Sequence, residues 1–225
     1  LERNLLGCSE YFIDRVRKMD MTSEAKDTYK TILKPGKETL FKEKGSKFFG
    51  YAFPVKTEDE IKECLEALKK QHHTARHFCY AWQLGMEYES YRANDDGEPS
   101  NSAGMPIYGQ LQAFDVTNIL VVSVRYFGGT KLGVGGLIQA YKTSAQLALD
   151  ASKIVTRTIN EAFVLKFDYP EMNTVMRIIK EEDLTILEQN MALDCEIIIS
   201  VRKKEAERIF QLFTNTYKVS IKRKD

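Results

Sequence analysis

Apolar and polar positions follow two rhythms along this chain, a period of two and a helical period, and a third pattern of unbroken apolar runs. The period-two rhythm predicts strands over 29–33, 38–44 and 47–54. Pro35-Gly36 separates the first two, and the last two read as a hairpin around Gly45-Ser46. Thr57 followed by Glu60 is a capping-box start, and Ile61, Leu65 and Leu68 continue it at helical spacing to about 71–73. Residues 76–84 read as a strand with Phe78, Tyr80 and Trp82 on one face and His77, Cys79 and Ala81 on the other. Residues 87–103 carry neither rhythm and read as one long polar loop, a length that is often functional. A helix is predicted over 105–114. The run 119–124, apolar except for Ser123, predicts a strand buried on both faces. A glycine-rich turn over 128–136 then leads into a helix over 137–150.

Beyond a linker at 152–160 the order is strand 163–169, helix 170–182, strands 184–189 and 192–201, helix 203–214 and strand 217–221. Pro170 sits in the first turn of its helix, where it is tolerated. This β-α-β-β-α-β order is the split ferredoxin-like arrangement. The class is therefore α+β, with three segments: a leader or tag-like stretch at 1–20, a first domain at 21–155 and a second at 156–225. The functional chain is expected to start near Met19 or Met21.

Composition narrows the function classes. The 225 residues suffice for two small cores. Net charge is +1, with 21 basic and 20 acidic residues up to Val155 and 12 of each beyond it. Bulk charge gives no support to non-specific nucleic-acid binding, which leaves a local patch as the route. No run approaches the roughly 20 apolar residues of a membrane helix. Cys8, Cys64, Cys79 and Cys195 are scattered without a Cys-x-x-Cys pair, which fits a reduced, cytoplasmic protein. No cofactor is expected, and the oligomeric state is open.

Three segments carry candidate chemistry. In the first, Arg125 ends a buried strand, and Gly128, Gly129, Lys131, Gly133, Gly135 and Gly136 precede a helix. Glycines there permit close backbone approach, and a helix N-terminus with nearby cations suits a phosphate-like anion. The same glycines also suit tight packing of helix on sheet. No Walker spacing is present. In the second, Asp95, Asp96 and Glu98 place three carboxylates in four residues, a candidate acid–base or cation group, or a turn with Asp and Asn as caps, Gly97 for positive φ and Pro99 to stiffen the exit. In the third, His72, His73, Arg76, His77 and Cys79 lie together. A zinc set of His73, His77 and Cys79 lacks a fourth ligand, so no metal site is assigned. Arg76 and His77 are read as lining the same cleft as Arg125. In a parallel arrangement the 94–104 loop and the 125–136 turn are expected to face each other across one cleft, with Asp95, Asp96 or Glu98 either pairing with Arg125 or leaving it open for an anion.

The stretches His73 to Trp82, Asp95-Asp96-Gly97-Glu98-Pro99 with Ala103-Gly104-Met105-Pro106, and Val124 to Gly129 with Leu132-Gly133 and Gly135-Gly136-Leu137 together resemble the YigZ/IMPACT family, in its two-domain bacterial YigZ type. The likeness is firm over about 29–155 and looser beyond. It implies a first domain like the second domain of a small-subunit ribosomal protein and a second similar to domain V of elongation factor G. Eukaryotic relatives regulate translation largely through an extra N-terminal domain, for which there is no room before Tyr29, so that partner is not expected here. The expectation is an RNA- or ribosome-associated binding protein with a role in translation regulation, holding its ligand through Arg76, His77, Arg125 and the glycine turn. The alternative is an enzyme acting on a phosphorylated small molecule or nucleotide, with Asp95, Asp96, Glu98 or His77 as catalytic group. The resemblance brings no established enzymatic activity with it.

Overall fold

The computed structural model describes residues 27–191 and 194–224; the expected leader lies outside them. The chain divides into one compact unit spanning Thr28–Arg157 and another from Thr158 onward that includes Asp27.

The first unit is built on β2 (Thr39–Glu43), β3 (Ser46–Pro54), β4 (His77–Leu84), β5 (Ser90–Asn94) and β6 (Ile119–Tyr126), in the order β2-β3-β6-β4-β5. Every pairing in this sheet is antiparallel. β6 lies at the centre. Its alternate residues enter two different cores, which is why the run is continuously apolar. On one face Val121 packs with Phe48, Ala52, Cys79 and Ala81 beneath α2 (Gly104–Ala113) and α3 (Gly133–Asp150). On the other, Leu120, Val122 and Val124 pack with Tyr51, Phe78 and Trp82 against Ile61 and Leu68 of α1 (Glu58–Gln71). The turn Lys44–Gly45 joins β2 to β3 with both residues in the left-handed region, the type I′ signature of a two-residue hairpin.

Four expectations change. The sheet is antiparallel, not parallel: an unbroken apolar run reports cover on both faces and is silent on direction. The loop predicted over 87–103 contains β5, an edge strand whose first three residues are exposed. The predicted linker contains β7 (Ile154–Thr158), which pairs with β1 (Thr28–Ile32) in a separate two-stranded sheet. Finally, α3 begins at Gly133 rather than 137, so part of the glycine run is helical.

The second unit carries β8 (Asn160–Asp168), α4 (Met172–Glu181), β9 (Thr185–Met191), β10 (Asp194–Arg202), α5 (Ala206–Thr214) and β11 (Val219–Arg223). Its sheet order is β11-β8-β10-β9, all antiparallel. Alternate residues Phe163 and Leu165 of β8 and Ile197 and Ile199 of β10 form the core with Val175, Ile179, Ile209 and Phe213 of the two helices. The ββαβ portion thus closes the βαββαβ arrangement read from the pattern.

Candidate functional site: a cleft at the glycine turn

Antiparallel pairing assembles this site by a route that parallel strands would not provide. Phe48, Arg125 and His77 occupy one row across β3, β6 and β4. The start of β4 therefore lies beside the end of β6, and β5 carries the chain back so that Asn94 stands opposite Tyr80. The acidic loop is delivered to Arg125 in this way.

Each of its carboxylates has a defined task. Asp95 Oδ1 accepts from the amides of Ala103 (2.9 Å) and Gly104 (2.8 Å), and Oδ2 from Asn101 (2.9 Å). Asp95 thereby caps α2, whose preceding residue Ala103 offers no side-chain oxygen. Asp96 Oδ2 accepts from the Phe78 amide at 2.6 Å. The Asp96 carbonyl accepts from His77 Nδ1 at 2.9 Å, which makes Nδ1 the protonated nitrogen. Glu98 Oε1 pairs with Arg125 Nη1 at 2.5 Å and accepts from the Tyr141 hydroxyl at 2.7 Å. Both side chains of this ion pair are about nineteen-twentieths buried. Burial pushes the Tyr141 hydroxyl and the Cys79 thiol well above their usual ranges, so both remain protonated donors. The Cys79 thiol donates to the Asp95 carbonyl.

Arg125 is 6% exposed, and its Nε has no hydrogen-bond partner among the described residues. Its guanidinium lies over the rings of Phe48 and Phe127, 5.6 Å from each centroid. Nη2 reaches Ser46 Oγ at 3.4 Å, and the same hydroxyl accepts from the Gly128 amide at 3.2 Å. Sequence reasoning missed Ser46 and Tyr141. The only signal for Tyr141 was a hydroxyl on the apolar face of a helix, which needs a partner once buried.

The glycines divide by role. At Gly128 an added Cβ would stand 1.9 Å from the Gly45 carbonyl carbon, so this glycine serves backbone packing against the hairpin. Gly136 is tight against Leu132. Gly129 and Gly133 have φ of 86° and 72°, and an added Cβ at either, or at Gly135, would meet nothing within 4 Å. Those three face open space. A cleft of about 340 Å³ is lined there by Glu98, Pro99, Arg125, Phe127, Lys131, Leu132 and the start of α3. No side chain caps α3, and its first turn carries no acid. Lys131 is exposed at its mouth. Arg76 is exposed, and neither it nor His77 lines the cleft. His77 shares the row and the face of Arg125, but its ring turns to Asp96.

On the opposite face of the same sheet end lies a second polar network. His72, which follows α1, is buried, with Nε2 2.5 Å from the Tyr51 hydroxyl and Nδ1 3.0 Å from the Tyr126 hydroxyl. Tyr51 donates to Glu38 Oε2 at 2.5 Å. Since its one proton goes to Glu38, Tyr51 accepts from His72 Nε2–H, and Tyr126 then donates to Nδ1. Burial lowers the His72 pKa and raises that of Tyr51, Glu38 adding to the latter.

The sequence profile of the Impact N-terminal domain matches residues 44–149, which include the whole cleft. The IMPACT family member YvyE of Bacillus subtilis is 33% identical over 187 residues, covering 83% of this chain and 86% of YvyE. An IMPACT family member of Haemophilus influenzae is 31% identical, covering 78% of this chain and 87% of its own. IMPACT family member YigZ of Escherichia coli is 33% identical over 131 residues, covering 57% of this chain and 64% of YigZ. A crystal structure of a hypothetical protein aligns with a TM-score of 0.66 at 23% identity, over 88% of this chain and 98% of that one, which shows a shared fold. By the length and identity of these matches, and by the position of its three motifs, the chain belongs to the YigZ/IMPACT family.

Proposed function

We propose that this chain is a binding protein of the translation apparatus that holds an RNA-type anion in the cleft at the start of α3. The observation that carries this is the uncapped N-terminus of α3, which opens beside Lys131 onto a cleft floored by Arg125. Free N–H groups and the helix dipole favour an anion there. The link to translation comes from the family, whose eukaryotic members regulate it.

The alternative, an enzyme acting on a phosphorylated small molecule, needs a carboxylate or imidazole free to move a proton. Asp95, Asp96 and Glu98 all accept hydrogen bonds within the fold, and His77 does not line the cleft. These engagements support binding over catalysis. Because Glu98 already offsets Arg125, the anchor is Lys131 with the helix amides rather than the arginine alone.

The test is titration of labelled RNA at several salt concentrations, with co-sedimentation on ribosomes alongside. One or two phosphates in the cleft give a log–log salt slope of about −0.7 to −1.4. Lys131→Glu should weaken binding without changing the melting temperature. Equal affinity of the variant and the parent chain would rule the cleft out as the binding place.

A further inference from the structure

Resting on that reading, we infer that the cleft takes one unpaired nucleotide, its phosphate at the α3 N-terminus and its base stacked on Phe127.

Phe127 follows the end of β6 and is 57% exposed, an unusual setting for a large aromatic side chain in the wall of a cleft. It is not loose. The Arg125 guanidinium lies over its ring, and that guanidinium is fixed in turn by Glu98, by Ser46 and by the Phe48 ring beneath. The ring is therefore preorganised, and more than half of the side chain is exposed in a residue that lines the cleft. A flat apolar surface backed by a cation suits a nucleobase, since every base presents a π-face.

The phosphate end is independent of the ring. Gly129, Gly133 and Gly135 leave the backbone unobstructed, so a ligand atom can reach the amides. Lys131 supplies charge, and the buried Arg125 retains an Nε–H without a partner among the described residues. Pro99, Leu132 and Val134 complete an apolar rim. A ligand with a planar apolar part and an anionic part answers both halves. The volume, about 340 Å³, lies at the small end of ligand pockets. It admits a single nucleotide and not a stacked, paired helix.

The experiment uses the full chain and four probes: single-stranded oligoadenylate, the same strand paired with oligouridylate, inorganic polyphosphate and AMP. The single strand should bind at least about tenfold tighter than the duplex, and Phe127→Ala should weaken it about tenfold. Phe127→Tyr should restore it, and polyphosphate binding should not respond to either change. Circular dichroism melts confirm that the variants fold. AMP competing as well as the single strand identifies a free nucleotide as the source, and AMP competing poorly identifies RNA; both uphold the stacked-base site. Equal binding of duplex and single strand, or a Phe127→Ala variant with undiminished affinity, overturns the stacking inference and leaves the anion cleft standing. Failure of all four probes to bind the parent chain overturns the proposed function together with it.

Discussion

Arg125 and Tyr126 are neighbours on β6, yet they anchor opposite kinds of network on the two faces of one sheet. Arg125 joins a charged set, Glu98, Tyr141 and Ser46, roofed by the helix whose open end forms the cleft. Tyr126 joins a neutral set, His72 and Tyr51, that reaches the exposed carboxylate of Glu38. A buried ion pair is held together by the cost of separating it. A histidine relay is held by ordinary hydrogen bonds and responds to pH. The first suits a rigid floor for a ligand site. The second suits a seam between a helix end and the sheet.

The largest expected effect falls on the charged side. Arg125→Ala should cost about 3–5 kcal/mol, because Glu98 is left buried without its partner. Replacing both, as in Arg125→Met with Glu98→Gln, should recover much of that loss in urea unfolding. A double variant as unstable as the single one would mean that the arginine's packing between two rings dominates. Next comes Tyr141→Phe, which removes one donor to a charged oxygen and should cost about 1.5–3 kcal/mol. Tyr126→Phe removes a neutral hydrogen bond and should cost about 0.5–1.5 kcal/mol in the same assay. If it cost more than Tyr141→Phe, the ranking of charged over neutral network would be reversed.

The smallest effect is one of pH. The folded pKa of His72 lies below its unfolded value of about 6.5. Above that value both states are neutral and the relay contributes fully. As pH falls below it, the unfolded state takes up protons first, and stability declines through the folded pKa. The melting temperature should therefore drop between pH 7.5 and 5.5, and the drop should be smaller in His72→Gln. An unchanged drop would assign the pH dependence to other groups.

Much of this architecture was legible because burial leaves a rhythm. β6 showed as an apolar run, α1 by its cap and period, and the second unit by the order of its elements. β5 and β7 were not legible, since an exposed edge strand such as Ser-Tyr-Arg-Ala-Asn has no buried face to impose alternation. Strand direction was also hidden, and with it the reason that His77 stands opposite Arg125. Within the site, Arg125 and the acidic loop were recognisable by type. Capping by the aspartates was one of the readings open; which amides Asp95 and Asp96 take was not recognisable, because an amide has no letter in the sequence. The pairing of Glu98 with Arg125 spans 27 positions and follows from the return of β5, which the polar loop concealed.

The hydroxyl of Ser46 gives the cleft a built-in clock. It holds the Gly128 amide, while an added Cβ at that glycine would run into the hairpin backbone. Within an otherwise open glycine turn, that one proton should exchange slowly with solvent in the free protein. The amides that start α3 face the cleft and should exchange fast until a ligand covers them. Occupancy can then be read in a single spectrum, as protection spreading along the turn against a Gly128 signal that stays fixed.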